Sequence, residues 1–382
     1  MWRYLISISI VVAAVVVLLL FGEPVDKRVV FNTLLLGAGT CLFAVPAGLL
    51  LARICLNRGM LPTLIRWSSI ALLFMPLFLH VSAWDSAFGK LGWVTWTADS
   101  GFNVLAGQWP IAIWIHSMAA IPQLTVILWF GLLASGRSYE EQAALDADSR
   151  SVFWYITLPR LMPMLAIVIV WVFVTCAREI AVTDIYRIGT LAEQIYLGYS
   201  LGELDATVGN FTTVAVIVVA AGLVVASLFN LDVPEAAEEL LVQSPQTKSS
   251  GWQSGFSIVM VLLLVGVPLA NLMIRAGRFV QFTDAQAVAH YSFEHAWSVV
   301  ARVPTVFASV IGWSSTVAIV SCLISLALAT LAFWYSIQSK VFRVLFLLSV
   351  AICSGLPGPL IGSSLLWLRS VSYTHLTLPT KA

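Results

Sequence analysis

Long, continuously apolar runs alternate along the chain with short polar breaks. Each run is long enough to cross roughly 30 Å of hydrocarbon as a helix. The runs do not alternate residue by residue, which selects helices over a membrane barrel. The pattern predicts spanning helices over about 4–21, 32–56, 67–84, 110–134, 163–179, 210–231, 256–274, 313–336 and 343–367. The first run is long and no small-residue cleavage site follows it, so it reads as an uncleaved span rather than a secretory signal. With the N-terminus and Arg3 inside, the short basic loops 53–66 (Arg53, Arg58, Arg66) and 336–343 (Lys340, Arg343) share the cytoplasmic side. The same topology places the breaks 138–163 and 232–255 there.

Composition agrees with this reading and narrows it. The chain is 60% hydrophobic and 10% charged, with 15 tryptophans, and its mean hydropathy is +0.94. These values exclude an ordinary soluble globule. A net charge of +1 offers no basic signature for nucleic acid. Cys41, Cys55, Cys176, Cys322 and Cys353 sit in or beside apolar runs without CxxC spacing. They read as small buried residues, not as ligands.

One break, LDVPEAAEELLVQSPQTKSSG (residues 231–251), is acidic and then rich in Ser, Pro and Gln. It divides the chain into a first half, 1–231, and a second, 256–370, with 232–255 as a cytoplasmic linker. Setting residue n beside residue n+283 pairs Thr33 with Thr316, Ala44 with Ala327, Pro76 with Pro359 and Trp84 with Trp367. An even number of predicted spans separates the copies, so the repeats are parallel rather than inverted, and the second is incomplete. The last residues, 371–382 (VSYTHLTLPTKA), switch abruptly to Thr-rich polar sequence. They resemble one reading frame of a transposase-library sequencing adapter. The expectation is that they are an artefact and that the natural chain continues differently.

The other break, YEEQAALDADSRSVFWYITLPRLMP (139–163), is the most charged stretch between two apolar runs. Ser138 and Glu141 have the spacing of a capping box, and Glu140 and Glu141 suit the positive end of a helix. The alanine-rich piece through Asp148 continues that helix. A second short helix is expected from Pro159, with Pro163 opening the next span. The product is a helix-turn-helix outside the membrane with small alanines on one surface. A plain solvated connection is the alternative, but the segment is long for that and carries Val152, Phe153, Trp154, Ile156, Leu158 and Leu161. Glu140 and Glu141 are adjacent on a helix, about 100° apart, and so do not form a facing catalytic pair.

These residues resemble the EAA loop of binding-protein-dependent ATP-binding-cassette (ABC) importer permeases. Glu141 takes the glutamate position, Gln142 and Ala143 the two alanines, and Ala147 the glycine. Ile156, Leu158 and Pro159 take the closing Ile-x-Leu-Pro. Gln for Ala, Ala for Gly and a gap one residue short are departures from the family pattern. FNTLLLGAGTCLFAVPAGLLLA (31–52) is similar to the family's first core span. AREIAVTDIYRIGTLAEQIYLGYS (177–200) is similar to the segment after the loop in fused iron(III)-type permeases. The resemblance implies an all-α polytopic membrane protein with the type I ABC importer fold, resident in a prokaryotic inner membrane. It implies a coupling helix in which Glu141, Ala143, Ala144, Ala147, Ile156, Leu158 and Pro159 meet a separate cytoplasmic ABC ATPase dimer. ATP is consumed there, because the chain has no GxxxxGK[ST] loop and needs no cofactor of its own. Substrate, iron(III) first and thiamine or phosphonate as alternatives, would arrive from an extracytoplasmic solute-binding protein.

Among the polar residues inside spans, His80, His116, Gln123 and Glu179 are candidates for a translocation route, because intramembrane polar groups are costly. Ordinary interhelix hydrogen bonds are the competing reading for each. Pro76 and Pro122 are expected to kink their spans. Arg178 and Glu179, with Asp184 after them, read as a salt-bridged interfacial anchor. HYSFEH (290–295) suggests metal ligands, but His290 and His295 are spaced wrongly for one helical face, so no metal site is assigned. An ion-gradient-driven secondary transporter is the rival function. An intramembrane enzyme lacks a nucleophile, zinc or paired-carboxylate constellation.

Overall fold

The computed structural model describes residues 27–88, 108–134, 140, 142–201, 250–283, 286–339, 341, 342, 345, 346 and 349. The predicted spans 4–21 and 210–231, most of 343–367, most of the linker, the 371–382 tail, Ser138 and Glu141 lie outside these residues. In chain order the elements are α1 (Lys27–Ile54), α2 (Met60–Leu72), α3 (Leu77–Phe88), α4 (Gln108–Ala134), α5 (Ser149–Val152), a π turn (Phe153–Thr157) and α6 (Leu158–Arg178). There follow α7 (Ala181–Ile185), α8 (Leu191–Ser200), α9 (Gly251–Val261), a second π turn (Leu262–Gly266) and α10 (Val267–Gly277). The strands β1 (Arg278–Thr283) and β2 (Gln286–Tyr291), then α11 (Phe293–Val306) and α12 (Ala308–Gln338), complete the described chain.

Lys27–Ile54, Gln108–Leu133, Gly251–Gly277 and Ala308–Ser336 are each long and apolar enough to cross a membrane. Two bent pairs, Met60–Leu72 with Leu77–Phe88 and Arg150–Met162 with Met164–Arg178, also qualify when each is taken as one span. The described chain is therefore a helical polytopic membrane protein.

Four sequence expectations are corrected. The span 67–84 is not one helix: α2 and α3 meet at 110°. Pro76 lacks an N–H and pushes Met75 away from helical geometry, so the helix closes on itself with Met75 N–H bonded to Leu72 O and restarts after the proline. The loop's second helix begins at Ser149 rather than Pro159, and runs through the π turn into α6. The linker's end is already helical. Ser250 stands before α9, and its N–H is accepted by Gln253 Oε1 at 3.0 Å. The wholly helical expectation misses an antiparallel hairpin in which Arg278 pairs with Tyr291 and Thr283 with Gln286. Aromatic and β-branched residues in RFVQFT favour a strand once the apolar run of α10 ends.

Both π turns precede a proline in the same way. Leu158 N–H reaches back five residues to Phe153 O, and Val267 N–H to Leu262 O. Pro159 and Pro268 then fall in the first turn of the following helix. A proline ring crowds the carbonyl four residues before it, and a widened turn relieves that crowding without breaking the span.

The described residues form two compact units that interleave in sequence: 27–56 with 108–201, and 57–88 with 250–342. These units follow packing, whereas the halves 1–231 and 256–370 follow sequence similarity, and the two divisions do not coincide. In the first unit α1 packs on α4 and α6, and α4 packs on α6. Leu36, Ala44 and Leu51 meet a core containing Ile115, Ile121, Leu124, Leu161 and Val168, all buried. Small residues on α1 set the spacing. A Cβ on Gly48 would stand 2.8 Å from Leu124 Cβ, and one on Gly37 2.5 Å from the Phe173 ring. Close backbone approach of this kind is how helices associate where lipid removes the hydrophobic drive between them. The other face of α1 (Phe31, Leu42, Phe43) is exposed and apolar, as a lipid-facing surface must be.

In the second unit α3 and α10 pack together, and Arg275 donates from Nη1 to Ser82 O at 3.1 Å. Asn271 and Trp84 are buried there. The long helix α12 has none of its most apolar window buried.

Candidate functional site

The described part of the coupling segment expected at 138–163 is a short helical turn over 140–147 followed by a helix, and from Arg150 onward it belongs to the bent pair that qualifies as one span. Ala144 N–H bonds Glu140 O at 2.9 Å and Ala147 N–H bonds Ala143 O at 3.0 Å, closing about one turn. The chain then turns, and Asp148 begins α5: Val152 N–H bonds its carbonyl at 3.0 Å, and Arg150 N–H its Oδ2 at 3.3 Å. Asp148 therefore starts a helix, where the sequence reading had it end one. A hydrogen bond from the Ser151 side chain, assisted by backbone N–H donors, holds the Asp148 carboxyl below its ordinary range.

Of the residues expected to contact a partner, Ala144, Ala147 and Pro159 are exposed, while Ala143, Ile156 and Leu158 are half-buried. Leu145 and Tyr155 were not singled out in the sequence, yet they are 85% and 81% exposed. Their signal was available: both are large side chains within the charged break. Thr157 is buried at the start of α6.

A second contact was also missed. The Arg53 guanidinium, at the end of α1, lies 4.4 Å from the centre of the Phe153 ring in the π turn. A cation over an aromatic face is attracted by the ring quadrupole. The segment is thus continuous with α6 and joined to α1.

The segment after α6 is fastened to the opening turns of α1. Asn32 Nδ2 donates to Gly189 O at 2.9 Å, and Leu191 N–H to Thr33 Oγ1 at 3.1 Å. Thr190 Oγ1 donates to Thr183 Oγ1 at 3.4 Å. The turn between α7 and α8 places Arg187 at φ 51°, a left-handed conformation that a non-glycine residue holds only when its surroundings enforce it.

The proposed route residues divide between the units. His80 lies in the second, buried in α3, and neither ring nitrogen has a hydrogen-bond partner among the described residues. His116, Gln123 and Glu179 lie in the first. Gln123 Oε1 accepts from Trp171 Nε1 at 2.7 Å, an ordinary bond between α4 and α6. Glu179 Oε1 accepts the N–H of Ala181 at 2.9 Å and so caps α7. The Arg178 guanidinium lies 5.9 Å from the Trp171 ring centre. His116 is 3% exposed, with Nδ1 3.9 Å from Cys176 Sγ, which lies 3.8 Å from Thr40 Oγ1. His116 Nε2 is buried without a partner among the described residues.

The HYSFEH stretch does not lie on one helix. His290 is on β2 and His295 on α11, with the Phe279 ring 6.0 Å and 5.0 Å from them. Among the described residues no group of three His, Cys, Asp or Glu side chains is placed to hold a metal ion.

These observations define a class: a multi-span helical membrane protein. No family model, no curated protein and no solved structure matches the chain.

Proposed function

We propose that this chain is the membrane-spanning permease of a binding-protein-dependent ABC importer in a prokaryotic inner membrane. It takes substrate, iron(III) in first place, from an extracytoplasmic solute-binding protein and is driven by a separate ATPase dimer. The observation that carries this reading is the segment 140–157. It presents Ala144, Leu145, Ala147 and Tyr155 on its outside, continues directly into α6 and touches α1 through Arg53 and Phe153. A push on its exposed surface is delivered to two of the helices that make the bundle core. Exposed alanines allow a partner's surface to approach closely, and the leucine and tyrosine supply apolar anchors.

The test is uptake of iron(III) into vesicles containing the chain, a candidate ATPase and a candidate binding protein. ATP-dependent uptake is expected. Ala147→Trp is expected to leave insertion intact and to abolish ATPase association and uptake. Wild-type uptake by that variant, or uptake that needs no nucleotide, would sink the proposal.

A second reading, an ion-gradient-driven carrier, is favoured by one observation, the Nε2 of His116, buried and without a partner among the described residues. It requires uptake driven by a proton gradient without ATP, lost in His116→Gln.

A further inference from the structure

We infer that α11 is an interfacial helix whose apolar face rests in the headgroup and upper acyl region of the bilayer that α12 crosses. Phe293, Trp297, Val300, Pro304 and Phe307 recur at intervals of four, three, four and three, so they share one face. Phe293 is 65%, Trp297 62% and Phe307 50% exposed, so the face is not covered by protein among the described residues. Ala296 is the buried residue of the helix, beside α10, which leaves the larger apolar side chains free. Val299, Val303 and Val306, at 39%, 41% and 65% exposed, widen that face on one side. The opposite sector is polar, with Glu294, Ser298, Arg302 and Thr305. Ser298 and Thr305 fold their hydroxyls back onto the carbonyls of His295 and Arg302.

Continuity identifies the occupant. One residue, Phe307, separates α11 from α12. The apolar surface of α12 is exposed along its length, with Trp313 at 74% and Leu326 and Leu328 at 63%. Such a helix requires lipid around it. A short amphipathic helix joined to it by one residue reaches the water boundary of that same lipid, where a tryptophan with an apolar body and a polar tip is favoured. Ser292 caps the start of α11 by accepting His295 N–H at 3.3 Å, so the helix has its own stop on the hairpin side. The inference rests on the membrane-spanning character of α12 and not on the proposed transport function.

Photo-crosslinking of the full chain tests it. Benzoylphenylalanine is placed singly in place of Trp297, Val300, Glu294 or Arg302, with a control in place of Leu328. The chain is held in phosphatidylethanolamine–phosphatidylglycerol vesicles containing alkyne-tagged phosphatidylethanolamine. Lipid labelling at 297 and 300 is expected on the order of ten-fold above that at 294 and 302, as an interfacial helix requires. Labelling at Leu328 shows that the variant is inserted. Equal labelling at the four α11 positions, no labelling at 297 and 300 beside a labelled 328, or capture there of a second copy or a soluble protein overturns the inference.

Discussion

The helices α1 and α12 are the pair that the sequence repeat sets side by side, and their surroundings are opposite. Both are long and apolar, and the offset of 283 pairs Thr33 with Thr316 and Ala44 with Ala327. Thr33 is 3% exposed, and its hydroxyl accepts the Leu191 N–H from the segment after α6. Thr316 is exposed, and its hydroxyl is spent on its own helix, bonded to Gly312 O at 2.9 Å. Ala44 is fully buried, whereas Ala327 is exposed. The same residue type thus joins two elements in one helix and does nothing beyond its own turn in the other. Apolar run length states that a helix belongs in a membrane. Whether protein or lipid covers it depends on what other helices bring to its small-residue face.

The largest effect that separates the two helices is over-packing. Gly48→Leu in α1 drives a side chain into Leu124, and a loss of about 1–3 kcal/mol or more is expected. Ala329→Leu in α12 falls on a surface that is exposed among the described residues, and a change within about 0.5 kcal/mol is expected. Reversible unfolding of both variants in mixed micelles reads the difference; equal losses would break the comparison.

The next effect is the threonine pair. Thr33→Val leaves the half-buried Leu191 N–H without its acceptor, a cost of about 1 kcal/mol. Thr316→Val removes a bond within one exposed turn and is expected to be nearly silent. Unfolding midpoints measured in parallel would show it, with hydrogen exchange at Leu191 as a local reporter.

A smaller effect is expected at the Arg53 end of α1. Arg53→Gln and Phe153→Leu should show a coupling of about 0.5–2 kcal/mol in a double-mutant cycle. A cycle that closes to zero would mean that the ring and the guanidinium are neighbours without interaction.

The smallest effect concerns pH at the start of α5. The Asp148 carboxyl titrates lower in the folded chain than in the unfolded one. Its contribution is therefore complete above the ordinary carboxylate value of 3.8 and is lost as pH falls through the lower folded value. Protection of Val152 N–H should weaken over that acid range, and Asp148→Ala should remove the dependence.

Much of this molecule was legible in its residues. The run over 32–56 becomes α1, 110–134 becomes α4, and 313–336 lies within α12, because apolar length and backbone self-satisfaction leave a membrane segment few options. The charged break at 138–163 was legible as a structured element, but its internal joints were not. Asp148 looks like a helix end in composition, and only the Ser151 and Arg150 contacts reveal a start. Pro76 was read as a kink, and the 110° turn exceeds that. Local chemistry says that a proline interrupts the ladder, while the packing of α3 against α10 selects how far the chain turns. The hairpin at 278–291 went unread because its strands are short and follow directly on an apolar helix.

The sequence by itself determined that the chain is a membrane protein of long helices and where its polar breaks fall; it did not determine which prolines interrupt it, for Pro122 was expected to kink its span and lies inside the continuous helix α4. The helices and the breaks are consequences of transfer free energy and backbone covalent structure, which act on each segment alone. Only the tertiary structure decided that α1 is gripped by α4, α6 and the turn before α8 while α12 meets no such grip among the described residues. It also decided that Arg53 sits over Phe153 and that α11 turns an apolar face outward. Those outcomes depend on which surfaces meet, and side chains distant in sequence set that jointly.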